Sequence, residues 1–112
     1  MSYASASLKS TNSLDDSPVV LLMAHACTVD FAHGINTTGA AAYIQIFDVA
    51  AIADVSLGTT VPTLVLTIAT GASATDTYGS AGVDFANGVA VASTTTSTGS
   101  AAAITHARIG VR

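Results

Sequence analysis

By residue type, His25, Cys27 and His33 are the side chains of this chain best suited to chemistry, because imidazole and thiolate are ligands that zinc prefers. All three sit at odd positions, so within one strand they would share a face. Zinc needs four ligands at about 2.0 to 2.3 Å, whereas same-face neighbours on a strand stand about 7 Å apart. No fourth ligand is named, and His106 would have to come from a distant strand. Packed or locally hydrogen-bonded histidines explain the pattern better than a metal centre. Cys27 is the only cysteine, so it has no internal disulfide partner, and its apolar surroundings suit a small buried hydrophobe.

Other chemistries are less well supplied. Serine hydrolysis needs a nucleophile, a histidine base and an orienting acid, but there is no G-x-S-x-G turn and serine is too frequent to single one out. Asp15 and Asp16 could form a carboxylate pair, yet they lie in a run from Asn12 to Pro18 where backbone capping explains them. Calcium takes oxygen ligands, and Asp48 and Asp54 bracket one loop, Asp76 and Asp84 another. Neither follows the D-x-[DN]-x-[DN]-G order. Asn36-Thr37-Thr38 matches a glycosylation triplet, a match of little meaning without a secretory signal. Arg108 is expected to project from a strand and pair with Asp30, Asp48 or Asp84. At a subunit contact such a pair would set register, and an anion site is the other use of the same guanidinium.

Composition narrows the classes further. The seven acidic residues are all Asp, only Lys9, Arg108 and Arg112 are basic, and the net charge is -4. Phosphate backbones and anionic membranes call for clustered Lys and Arg, so neither nucleic acid nor membrane is an expected partner. Half of the residues are hydrophobic and only 9% are charged, well short of the roughly 25% common in soluble domains. Disordered chains are polar and charged, so disorder is not expected. The start has no basic segment leading into an apolar run, and no signal peptide is expected. Many Ala and few aromatics make a thin core for a lone monomer, and association would bury more apolar surface.

The elements that must position these residues are short and mostly extended. Tyr3 to Leu8 alternates weakly, so residues 1–17 read as an N-terminal arm or edge strand, followed by a single domain over 18–112. Val19–Ala32 predicts one bent strand or two consecutive ones, and Gly34 to Gly39 a turn region. Ala40–Asp48 is the clearest strand, with Tyr43, Gln45 and Phe47 opposite Ala42, Ile44 and Ile46, bulky on both faces and therefore central in a sheet. Val49–Val55 predicts a loop with one helical turn. In Val61–Ala69, Leu64, Leu66 and Ile68 face one way and Thr63, Val65 and Thr67 the other. Ala69–Gly82 reads as a linker that Tyr78 anchors. Short strands follow around Val83–Phe85 and Val89–Thr94, and Ile104–Val111 closes the chain, with Ala107, Ile109 and Val111 opposed to Arg108 and Gly110. Seven to eight strands joined by Gly- and Asn-containing turns predict an all-β fold, a small antiparallel β-sandwich or small barrel, jelly-roll or Greek-key-like.

From Asn36-Thr37-Thr38-Gly39-Ala40 into Tyr43-Ile44-Gln45-Ile46-Phe47-Asp48, the chain resembles small virion proteins of tailed bacteriophages, in which an N-T-[ST]-G-A turn enters a strand reading Y-[IL]-Q-[IL]-F-[DN]. Gly58 to Pro62, Leu64–Ile68, Phe85 to Gly88 and the basic C-terminal residue extend the likeness over residues 28–112. The first 27 residues depart from it. The resemblance implies a non-enzymatic structural role without cofactor: a capsid decoration or cement protein on the outer head surface, bound to the major capsid protein or neighbouring virion proteins. A homo-oligomer is expected. A tail-fibre or adhesin-like module binding a host glycan or protein is the alternative. It would use exposed aromatics beside Asp or Asn, with Tyr3, Tyr43 and Tyr78 as candidates. Tyr3, Leu8, Tyr78 and Arg108 are the expected interface residues.

Overall fold

The computed structural model describes residues 4–10, 19–99 and 105–112, with side chains over 19–99 and 107–112. Nine strands occur among these residues: β1 (Ala4–Ser10), β2 (Val19–Met23), β3 (Cys27–Asn36), β4 (Ala42–Phe47), β5 (Leu64–Ile68), β6 (Ser73–Thr77), β7 (Val83–Phe85), β8 (Val89–Thr94) and β9 (Thr105–Val111). One sheet runs β1-β9-β3-β6, with β7 also paired to β3, and the other runs β2-β8-β4-β5. Every pair is antiparallel.

Strand alternation builds the core directly. Ile44 and Ile46 of β4, Leu66 and Ile68 of β5, and Val89 and Val91 of β8 meet Val29, Ala32, Ala107, Ile109 and Val111 from the opposite sheet, all buried. Two antiparallel sheets packed through one such layer make the domain a β-sandwich. β4 does lie centrally, between β8 and β5. Its outward Phe47 is buried as well, with Val19, Ala90 and Ala92, under Val49, Val55 and Leu57 of the β4–β5 connection. That connection holds a 3₁₀ turn, Ile52–Asp54. The outer face of the β2-β8-β4-β5 sheet is thus partly covered by the chain's own loop.

Two expectations change, and one open choice is decided. The stretch Ala69–Gly82 is not only a linker, because it contains β6. Ser-Ala-Thr-Asp-Thr carries no hydrophobic alternation, and its extended form follows from pairing with β3, Phe31↔Thr77 through Ile35↔Ser73. The turn region expected from Gly34 begins later, since β3 continues to Asn36, held by β9 on one side and β6 on the other. The run Val19–Ala32 resolves into two strands, interrupted at Ala24–Ala26.

A bulge has the largest consequence for function. The β3–β9 register shifts between Val29 and Phe31. An extra residue in one strand reverses the facing of all that follow. Val29 and Ala32 therefore both enter the core, although their numbers differ in parity. Phe31 instead lies on the outer face, where its ring covers Gly110.

Candidate functional site

Bulge and loop geometry separate the three residues whose spacing suggested zinc. His25 is exposed in the β2–β3 connection, its Nδ1 3.1 Å from the carbonyl oxygen of Ala26. Cys27 begins β3, half-buried and packed against the core. His33 is on the outer face beyond the bulge, its Nδ1 2.6 Å from Thr75 Oγ1. The expectation that they share a face is corrected: the extra residue at the bulge turns His33 away from the side that Cys27 occupies. Burial, and secondarily the negative charge of Asp48, push the Cys27 thiol above its ordinary pKa, which disfavours a nucleophilic thiolate. His106 opposes Ile35 in register. Among the described residues, no group of three His, Cys, Asp or Glu side chains is placed to hold a metal ion.

The carboxylates hold loops in place. Asp48, at the end of β4, accepts hydrogen bonds from the backbone N–H groups of Ala86 (3.1 Å), Asn87 (2.8 Å) and Gly88 (3.3 Å). It fixes the turn between β7 and β8 by satisfying three donors that the turn leaves unpaired. Asp84 accepts from Thr28 Oγ1 at 3.0 Å. Asp30 receives Arg112 Nε at 2.9 and 3.2 Å on its two oxygens, and Arg112 Nη2 donates to the carbonyls of Ser80 and Ala81. The C-terminal guanidinium thereby ties the β6–β7 loop to β3. That loop presses closely on the strand: Gly82 has φ +71°, and a Cβ there would lie 2.6 Å from the Thr28 side chain and 2.8 Å from the Val29 carbonyl oxygen.

Arg108 does not make the expected pairing. Asp30, Asp48 and Asp84 are bonded elsewhere, and Arg108 stands exposed on the outer face of the β1-β9-β3-β6 sheet, opposite Ser7 and His33 in register. Tyr78 packs against the main core, its Oη buried and without a hydrogen-bond partner among the described residues. Burial, then the charge of Asp76, raises its pKa. Leu8 lies in β1 within the irregular stretch between Ser7 and Ser10, and Tyr3 falls outside the described residues. Of the expected interface residues with described side chains, Arg108 is exposed and Tyr78 is partly buried. Tyr43 lies in β4, opposite Thr67 and Thr94 in register.

Two polar residues have roles that their local sequence does not reveal. Asn36 is buried, with its Nδ2 donating to the carbonyls of Ala40 (2.7 Å), Ile68 (3.1 Å) and Ala69 (3.2 Å). Its Oδ1 accepts from the N–H and Oγ1–H of Thr38. The glycosylation triplet is thus a fold element whose amide nitrogen is occupied. Gln45, also buried, donates from Nε2 to Thr94 Oγ1 (2.7 Å) and the Gly99 carbonyl (3.0 Å), fastening the segment after β8. A lone Asn or Gln in a strand carries no local signal for such partners, because they are brought close only by the fold.

No protein-family model and no curated protein sequence matches the chain.

Proposed function

We propose that the chain is a non-enzymatic structural protein of a virion, a capsid decoration or cement protein that binds the outer head surface through the major capsid protein, and that its sandwich is a jelly roll. The observation that carries this reading is the strand order. Early and late strands lie side by side in nested fashion, β1 with β9, β2 with β8, β3 with β6 and β4 with β5, and the two sheets read β1-β9-β3-β6 and β2-β8-β4-β5. Two interlocked Greek keys give this arrangement, an architecture common in viral capsid domains and also used by lectins and cupins.

The polar groups support the structural choice within that set. Asp30, Asp48, Asn36, Gln45 and Arg112 bond to backbone or to one another to close loops. A cupin-like centre would need converging metal ligands, whereas these side chains stiffen a particle component. The resemblance of residues 36–48 to phage virion proteins points the same way. The cement role would then consist of burying apolar and hydrogen-bonding surface across capsomer junctions.

The test is co-sedimentation of the purified chain with expanded heads assembled from the major capsid protein of the same genome. Saturable binding with a fixed copy number per capsomer, and heads that withstand higher temperature when decorated, are expected. Absence of binding to those heads overturns the proposal.

A further inference from the structure

Sheet edges expose unpaired N–H and C=O groups, and stable monomers blunt them with charge, proline or bulges. The two sheets here have edges at β1, β2, β5 and β6 (with β7 alongside). β1 carries Lys9 and a break in register between Ser7 and Ser10. β2 has a register shift between Leu21 and Met23. β6 carries exposed Asp76, and β7 exposed Asp84. β5 has none of these devices. Its pairing with β4 is regular from Ala42↔Ile68 to Ile46↔Leu64, and no ionisable side chain occurs from Val55 to Thr75. Among the described residues, β5 pairs with no strand but β4.

We infer that the free edge of β5 is a pairing surface for a second copy of this chain, joined antiparallel about a two-fold axis at Leu66, so that the two four-stranded sheets become one continuous sheet. The strand suits itself as partner. In this register Val65 of each copy stands opposite Thr67 of the other, two β-branched side chains that favour cross-strand contact. Both lie on the side away from the core cluster, and Thr67 is exposed. No like charges meet, because neither copy has any there. Val61, 82% exposed just before the strand, gains cover from the second copy. Pro62, which has no N–H, marks where pairing must stop. A two-fold contact closes on itself, so the edge is consumed rather than propagated into a fibre. The inference does not depend on the virion reading, since the dimer forms in solution without a head.

Analytical ultracentrifugation of the whole chain tests it, with three sequences compared. The wild type is expected to sediment as a dimer. Val65→Lys/Thr67→Lys, which sets ammonium groups of the two copies against each other at the junction, is expected to shift it to monomer. Val65→Glu/Thr67→Lys, which sets the introduced carboxylate of each copy opposite the introduced ammonium of the other, is expected to restore the dimer. Far-UV circular dichroism establishes that each variant is folded, and the charge-paired variant controls for simple loss of β propensity. A wild type that stays monomeric at its highest soluble concentration overturns the inference, including in favour of a foreign strand at this edge. A dimer that persists in the folded double-lysine variant also overturns it.

Discussion

The side-chain amide of Asn36 donates to the main-chain carbonyl of Ile68 at 3.1 Å, joining the end of β3 in one sheet to the end of β5 in the other. The contact is buried, and the same side chain also holds Thr38 and Ala40. One residue thus sets both the β3–β4 turn and the spacing of the two sheets at that corner.

Replacing Asn36 by Ala should cost about 2 to 4 kcal/mol, because several buried polar groups lose their partner together. Asn36→Asp should cost more. It keeps an acceptor for Thr38 but presents a carboxylate to three carbonyls in a buried position. Urea unfolding of the three proteins should give midpoints in the order wild type, Ala, Asp; an Asp variant as stable as the wild type would contradict the clasp.

Asp48→Ala removes the acceptor for three backbone N–H groups of the β7–β8 turn. A loss of about 2 to 3 kcal/mol is expected from charge-assisted hydrogen bonds of this kind. Amide hydrogen exchange should localise the effect to residues 86–88. Uniform protection loss across both sheets would mean that Asp48 acts some other way.

Tyr78→Phe should stabilise the protein by about 1 kcal/mol, since it deletes a buried hydroxyl that has no partner among the described residues. It should also flatten the alkaline limb of stability. The phenol is harder to ionise in the folded state than its ordinary pKa of 10.0 implies, through burial first and Asp76 second. Its contribution is therefore complete below pH 10 and is lost as pH rises through the folded-state value. Cys27 shifts with the same sign from its ordinary 9.0, so Cys27→Ala is the companion variant in the titration. Unfolding midpoints that fall equally steeply above about pH 10 with and without the Tyr78 hydroxyl would refute this assignment.

Gly110→Ala places a methyl group against the ring of Phe31, which a Cβ at 110 would overlap. The expected cost is about 1 to 3 kcal/mol from overpacking. Phe31→Leu in the same protein should recover part of it, a coupling that a double-mutant cycle measures. Additive losses would show that the two positions do not meet.

The sandwich was legible wherever a strand had one greasy and one polar face, or two greasy ones. Leu64, Leu66 and Ile68 share the core side of β5, Ala107, Ile109 and Val111 that of β9, and Ile44 and Ile46 that of β4, in the alternation visible from residue order. β6 was not legible, because Ser73–Thr77 is small and polar and is extended only by pairing with β3. The grouping of His25, Cys27 and His33 failed at the bulge, which moves His33 to the opposite face and leaves no mark in residue types.

Local order alone determined that the chain is extended, where most of its strands lie, and that titratable groups are too few to crowd together. Those properties depend on neighbours along the chain, through the two-residue period of a strand and the scarcity of charge. Which strands are adjacent, that Arg112 rather than Arg108 meets Asp30, and that Asn36 and Asp48 brace distant loops were decided only in three dimensions. Their partners lie tens of residues away, and hydrogen-bond geometry exists only once both sheets have packed.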